Sequence, residues 1–198
     1  MPLLQSGDRK LLYLHVPKTG GSSIESMLRK LGQLTLIEDQ ASTFPCAAQH
    51  LHKDILASLF RDRNEFTSIF MTVRHPFSRL ESEYRYRVSH YSRPSFLVPE
   101  FERWVTNAFE NYENNPFVYG NHIRPQVEFE IFDPVIFKLE DGLEAVAHHV
   151  ATVLNLRAVP MLEHMNTNSQ PLQLKWNRKL EDRVRAFYRD DFIRFGYH

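Results

Sequence analysis

The sequence predicts an α/β fold in three layers, with a central parallel sheet flanked by helices on both faces. Short apolar runs rich in β-branched and aromatic residues, typical of buried strands, alternate with longer segments whose apolar residues recur at helical spacing. This alternation favours a parallel sheet, because each crossover connection places a helix on one face. We expect a single domain, 1–198, since neither an internal repeat nor a low-complexity linker divides the chain.

The predicted elements follow one another in a regular order. Residues 11–16 form an apolar run that ends at Pro17, which indicates a first strand leading into a loop. Residues 67–73 and 135–139 indicate two further buried strands. Stripes at helical spacing predict five helices: Ile24, Met27, Leu28 and Leu31; Phe77, Leu80, Tyr84 and Val88; Leu97, Phe101, Trp104, Val105 and Ala108; Leu143, Val146, Ala147, Val150 and Leu154; Leu180, Val184, Phe187 and Tyr188.

The composition is that of a folded protein without a strong overall charge. Hydrophobic residues make up 42% of the chain and aromatic residues 13%, which excludes a disordered protein. Lys plus Arg and Asp plus Glu both number 24, so no overall field attracts the chain to nucleic acid. An anion-binding site therefore has to be built locally.

Cysteine content and hydropathy bear on where the protein works. The single cysteine, Cys46, excludes an internal disulfide, and residues 1–10 lack the apolar segment of a secretion signal. No apolar stretch is long enough to span a bilayer. We therefore expect a cytoplasmic protein without a membrane span. The histidines show no metal-ligand spacing, so we also expect no metal.

The loop after the first predicted strand carries the strongest functional signal. It reads His15, Val16, Pro17, Lys18, Thr19, Gly20, Gly21, Ser22 and Ser23, and a predicted helix begins at Ser22 or Ser23. A glycine pair lets backbone amides approach an anion, and a helix N-terminus adds free N–H groups and a positive dipole end. Lys18 adds a cation, so the loop suits a phosphate or sulfate. The alternative is a serine-capped glycine turn with a solvated lysine; the loop is not a GxxxxGK[ST] motif.

A second candidate phosphate site follows the second predicted strand. Arg74 lies where that strand ends, at the edge where parallel sheets place ligands. Ser82 lies about two helical turns further on and shares a helix face with its start. A guanidinium and a hydroxyl can together hold a terminal phosphate. The alternative makes Arg74 a surface ion-pair residue and Ser82 an exposed helical serine.

Together the two segments resemble the PAPS-dependent sulfotransferases, especially their carbohydrate-type branch (PAPS is 3'-phosphoadenosine-5'-phosphosulfate). Residues 17–23, PKTGGSS, match that branch's PKTGG[ST]S loop. Residues 73–84 are similar to its VR-x-P and R-L-x-S-x-Y motif. The resemblance implies a P-loop-like fold and sulfuryl transfer from PAPS to an acceptor hydroxyl, with PAP as product. It implies that the loop holds the 5'-phosphate, that Lys18 contacts the leaving phosphate oxygen, and that Arg74 and Ser82 hold the 3'-phosphate.

The resemblance continues more weakly downstream. His122 to Gln126 is similar to the family's H-x-RPQ segment, which makes Arg124 and Gln126 candidate substrate residues, although Gln126 could simply shape a turn. Residues 136–140, 166–169 and 188–197 also resemble family segments. The less regular segments 94–134 and 161–175 are predicted lids on the acceptor side.

Sulfuryl transfer also needs a base that is neutral near pH 7, which points to histidine. The resemblance places that base in the segment of His50 and His52. Only one of the two is expected to face the acceptor. We favour His50 as the base and give His52 a supporting role. Further histidines that fit less well are His15, His75 and His122.

Two other function classes remain open at this point. A small-molecule kinase would need Mg²⁺ and a strand-end carboxylate, and neither a GK[ST] signature nor such a carboxylate is present. A non-catalytic module would bind PAP without transferring sulfate. For an enzyme, the expected partner is a hydroxyl-bearing carbohydrate or small molecule. The residues predict neither of these acceptors in preference to the other.

Overall fold

The computed structural model describes residues 1–37, 43–90, 99–163 and 173–198. Within them a five-stranded sheet has the order β3-β1-β2-β4-β5. Strands β2, β4 and β5 are parallel, whereas β1 pairs antiparallel with both β2 and β3. The strands are Leu3–Ser6 (β1), Arg9–Leu14 (β2), Gln33–Thr35 (β3), Ser68–Val73 (β4) and Val135–Lys138 (β5).

Helices connect the parallel strands, as crossover connections require. The α-helices of the described residues are Gly21–Arg29 (α1), Lys53–Leu59 (α2), Pro76–His90 (α3), Phe101–Asn114 (α4), Glu144–Leu154 (α5), Arg178–Phe187 (α6) and Arg189–Phe195 (α7). Short 3₁₀ turns occur between them, including Ala48–His50 and Gln126–Phe129.

The alternation of side chains along β2 builds two cores. Leu11 and Tyr13 face the core formed with α1 and α5, and Leu12 and Leu14 face the opposite core with Leu56 of α2. All four strand side chains are fully buried, and burial of one such side chain is worth about 1.5–3 kcal/mol. Helices therefore cover both faces of the sheet. The three-layer α/β prediction is confirmed.

A third core joins helices that lie beside the sheet. Trp104 of α4, Leu80 of α3 and Val184 of α6 belong to one buried cluster with Tyr188 and Phe192. This cluster anchors α3, which begins directly after β4 and carries the second predicted phosphate motif.

The structure departs from the predicted elements at the edges of the sheet. The three predicted strands are present and parallel, but the antiparallel strands β1 and β3 were not predicted. Leu139 belongs to a 3₁₀ turn after β5 rather than to the strand. The predicted lid 94–134 contains the regular helix α4, while residues 91–98 and 164–172, including the segment 166–169, lie outside the described residues.

Candidate active site

The loop between β2 and α1 has the backbone geometry of an anion cradle. Helix α1 begins at Gly21, slightly earlier than predicted, and Gly20 at its N-cap is left-handed with φ 89°. Lys18 is also left-handed, with φ 69°. This conformation is uncommon for a residue with a side chain and is concentrated at functional sites. The loop thus leads directly into the N-terminus of α1, which is the positive end of the helix dipole.

Gly21 is required by a neighbouring side chain. A Cβ at this position would lie 1.7 Å from Nε2 of His15, so the His15 ring occupies the space that any other residue would need. His15 Nδ1 in turn lies 2.6 Å from Oε1 of Glu25 in α1. The second glycine therefore admits a buried histidine at the start of α1, a role that the sequence did not indicate.

A buried chain of hydroxyl groups fixes the loop to the sheet. The Thr19 hydroxyl donates to the Val16 carbonyl (2.8 Å) and lies 2.8 Å from the Thr72 hydroxyl of β4. Thr72 in turn lies 2.7 Å from the Tyr13 hydroxyl of β2. The side chain of Thr19 is completely buried, whereas Ser22 is exposed on the first turn of α1. The Thr19 hydroxyl thus holds the loop, and only its backbone remains to contact a ligand.

Lys18 is a partly buried cation beside an aromatic ring. Its Nζ lies 4.1 Å from the centroid of the Tyr86 ring in α3, and it forms no ion pair with any described residue. Burial lowers the pKa of its ammonium group; Glu83 opposes this shift, and Arg74 and Arg87 reinforce it. A bound anion would offset both effects, because a nearby negative charge favours the charged form of the ammonium group.

Arg74 stands at the carboxyl end of β4, as predicted, and its backbone is fixed by Gln126. The side-chain amide of Gln126 accepts a hydrogen bond from the backbone N–H of Arg74 and donates one to its carbonyl oxygen, both at 2.9 Å. Arg74 Nη1 donates to the Lys18 carbonyl at 3.3 Å, so the two predicted phosphate motifs meet. Burial lowers the pKa of the Arg74 guanidinium. In the described ranges Arg74 forms no ion pair, and the Ser82 hydroxyl has no hydrogen-bond partner.

The sequence motif contained a further residue whose role was missed. Arg79 is buried, with 2% of its surface exposed. Its Nε donates to the Pro17 carbonyl at 3.0 Å and its Nη2 donates to the His122 carbonyl at 2.9 Å. Arg79 therefore holds the phosphate loop next to the segment of His122. Helical spacing is a usable signal here, because Arg79, Glu83 and Tyr86 lie at i, i+4 and i+7 on one face of α3.

The two predicted histidines have different surroundings. The buried ring of His50 lies between two other histidines, with centroid distances of 4.6 Å to His15 and 4.9 Å to His122. His52 instead packs against Phe117 at 5.4 Å, and its Nδ1 is buried without a hydrogen-bond partner in the described residues. That only one of the pair faces the acceptor stays a prediction.

The comparison with protein families decides which family this is. A model described as the sulfotransferase family matches residues 1–198. The chain belongs to the sulfotransferase family. Searches of curated proteins and of solved structures found no match. Family membership agrees with the predicted resemblance and supports a transferase that moves a sulfuryl group.

Two residues of this sulfotransferase were predicted to contact the acceptor, and both have internal partners. Gln126 is completely buried against the backbone of Arg74. Arg124 is 4% exposed; it donates to the Asn121 side chain (3.0 Å) and the Pro116 carbonyl (3.1 Å), and pairs with Glu128. Their acceptor contacts stay a prediction, whereas their hydrogen bonds order the segment around His122.

In the part of this sulfotransferase that the structure describes, no cluster of three or more His, Cys, Asp and Glu side chains could hold a metal ion. None of the described helices has both the length and the hydropathy of a membrane-crossing segment.

Proposed function

We propose that the protein transfers the sulfuryl group of PAPS to a hydroxyl group of a carbohydrate or small molecule. One observation carries the proposal: Lys18 and Arg74 are partly buried cations, close together, and neither forms an ion pair with a described carboxylate. Glu83 acts electrostatically on Lys18 and Glu140 on Arg74, but burial outweighs both and lowers the two pKa values. A ligand with phosphate at both ends, as PAPS has, would supply the missing negative charge.

The residues fit such a donor. The amides of the loop 17–23 and the first turn of α1 would hold the 5'-phosphate, because a helix N-terminus favours an anion. Arg74 and the hydroxyl of Ser82 would hold the 3'-phosphate. The guanidinium would supply positive charge and directed hydrogen bonds, and the hydroxyl would donate a further hydrogen bond. Glu140, Glu81 and Arg85 act electrostatically on Arg74, and the last two belong to α3, the helix that bears Ser82.

The chemistry needs positioning and charge relief more than covalent help from the protein. Lys18 would place its ammonium group by the bridging oxygen that gains negative charge as the sulfuryl group departs. The Tyr86 ring restricts the movement of that ammonium group by a cation–π contact. One of the neighbouring histidines His15, His50 and His122 would accept the proton of the attacking hydroxyl.

The decisive experiment uses ³⁵S-labelled PAPS with a panel of mono- and oligosaccharides, alcohols and phenols. We expect transfer of label to at least one acceptor, and a loss of about 100-fold or more in kcat for Lys18→Met, the scale seen when a transition-state donor is removed. Lys30→Met is the matched control, since Lys30 is exposed and pairs with Glu163. Binding of PAP without transfer to any acceptor would instead favour a non-catalytic module, and no PAP binding would refute the proposal.

A further inference from the structure

Five side chains form a continuous row beside the phosphate loop, with a carboxylate at each end. Glu25 lies 2.6 Å from His15 Nδ1, and the His15 ring contacts the His50 ring at 4.6 Å. The His50 ring contacts His122 at 4.9 Å, and His122 Nδ1 lies 2.7 Å from Glu83 Oε2. Its members come from five separate positions in the chain, so no single motif accounts for the row.

Two of the three imidazoles are enclosed by protein. His15 is 5% exposed and its Nε2 rests on Gly21. His50 is also 5% exposed; its Nδ1 lies 3.2 Å from the His15 carbonyl and its Nε2 lies 3.3 Å from the Gln49 amide nitrogen. Both ring nitrogens of His50 therefore have partners, which leaves no direct path from either nitrogen to an acceptor hydroxyl.

His122 differs from both. Its side chain is 16% exposed, and no described residue forms a hydrogen bond with its Nε2. The carboxylate of Glu83 can only accept, so in the neutral imidazole of His122 Nδ1 carries the hydrogen and Nε2 carries the lone pair. This is the tautomer of a general base that a carboxylate orients from behind.

The position of His122 relative to Lys18 favours a role in the reaction. The rings of His122 and Tyr86 are stacked, with centroids 6.1 Å apart and planes inclined by 29°. Lys18 Nζ lies 4.1 Å from the centroid of the same Tyr86 ring. The Tyr86 ring therefore contacts both Lys18, the candidate cation for the leaving group, and His122.

We propose that His122, through Nε2, is the base of the transfer reaction, and that Glu83 is the residue that positions it. The inference rests on the proposed function and replaces His50 in the role that the sequence suggested. Nε2 takes the proton of the acceptor hydroxyl as its oxygen bonds to sulfur. The bond from sulfur to the bridging phosphate oxygen breaks, PAP leaves with that electron pair beside Lys18, and the imidazolium later releases its proton to water.

Glu83 is suited to this task because it remains ionised. Burial alone would raise the pKa of its carboxyl group, but His122 and Arg87 outweigh burial and hold the pKa below its usual value. Arg87 Nε donates to the other carboxylate oxygen at 2.7 Å, which fixes its orientation. The titratable and charged groups around His122 are Arg79, Glu83, Tyr86 and Arg87 of α3, His50 of the 3₁₀ turn, His15 behind it and Lys18 of the loop.

The test compares His122→Gln with wild type, with PAP affinity measured by calorimetry and transfer measured with labelled PAPS and the acceptor that the wild type uses. We expect kcat to fall about 100-fold or more, the usual scale of general-base catalysis, with PAP affinity unchanged within about twofold. His148→Gln, an exposed histidine on α5, is the control and should keep wild-type kcat.

Two further measurements separate a base from a merely structural residue. Added imidazole should restore part of the activity of His122→Ala, because free imidazole can replace the missing ring. In Glu83→Gln, kcat should fall about tenfold and the acidic limb of the pH–rate profile should move to lower pH, because a neutral amide no longer stabilises the imidazolium.

The outcomes distinguish this inference from the proposed function. If wild type transfers sulfate and His122→Gln retains kcat within about threefold, His122 is not the base and the sulfotransferase proposal stands. A larger loss in His50→Gln than in His122→Gln would also overturn the inference. If wild type binds no PAP or transfers to no acceptor, the proposed function fails and the inference fails with it.

Discussion

Arg74 donates a hydrogen bond from Nη1 to the carbonyl oxygen of Lys18, at 3.3 Å. The residue predicted at the 3' end of the donor therefore contacts the backbone of the residue predicted at its 5' end. This contact joins the carboxyl end of β4 to the loop after β2, and it makes the two halves of the candidate site interdependent.

The first prediction concerns Arg74→Ala. We expect PAP affinity to fall about 10- to 100-fold, the loss typical of a charged hydrogen bond, while affinity for adenosine 5'-phosphosulfate, which lacks the 3'-phosphate, falls much less. Calorimetric titration of both ligands measures the difference. Arg194→Ala, which removes an exposed arginine paired with Glu130, is the control. Equal losses for both ligands would contradict a role at the 3'-phosphate.

The second prediction concerns Gly21→Ala. The added Cβ would collide with the His15 ring, so we expect a loss of about 1–3 kcal/mol in the free energy of unfolding, as for other overpacked sites. Urea denaturation measures it. In the double variant with His15→Ala the ring is gone, so the two effects should be far from additive. Additive losses would show that the ring is not the obstacle.

The third prediction concerns the pH dependence of stability. Burial lowers the pKa of both His15 and His50, and repulsion between the rings contributes at His50. The unfolded chain therefore binds these protons more readily than the folded one. Stability should be full above about pH 6.5, the usual histidine value, and fall as the pH drops below it.

Urea midpoints measured between about pH 7.5 and 5 would show this fall. His50→Gln should make the slope smaller because one buried imidazole is gone, whereas His148→Gln should leave the slope unchanged because that side chain is exposed. A His50→Gln slope equal to that of wild type would exclude His50 as a source of the effect.

The fourth prediction concerns metals. Lys18, Arg74 and the N-terminal amides of α1 already place positive charge where the donor is anionic. Turnover of labelled PAPS should therefore survive exhaustive chelation and change little when Mg²⁺ is added. Loss of turnover on chelation, with recovery on addition of Mg²⁺, would favour the kinase interpretation.

The sequence predicted the central strands and the phosphate loop because both are local patterns. The run 67–73 is rich in β-branched and aromatic residues, and β4 is buried throughout. By contrast, β3 is only three residues long, partly exposed and held by its pairing with β1, so its sequence carries little strand signal. Short edge strands depend on partners more than on propensity.

The candidate site was predicted only in part for a related reason. Lys18 and Arg74 belong to motifs that can be read within a few residues. The reciprocal pairing of Gln126 with Arg74, and the contact of His122 with Glu83, join segments that are distant in the chain. A single sequence gives no distance between such segments, so His50 was favoured over His122 on resemblance alone.

The parallel pairing of β2 with β4 also bears on how the protein folds. The β1–β2 hairpin closes over a short turn, but Lys18 and Arg74 approach each other only after a long loop has been closed, which is slow. Until then the two predicted phosphate sites lie apart. A donor analogue should therefore leave the refolding rate almost unchanged and slow the unfolding rate, so that occupancy prolongs the lifetime of the native state.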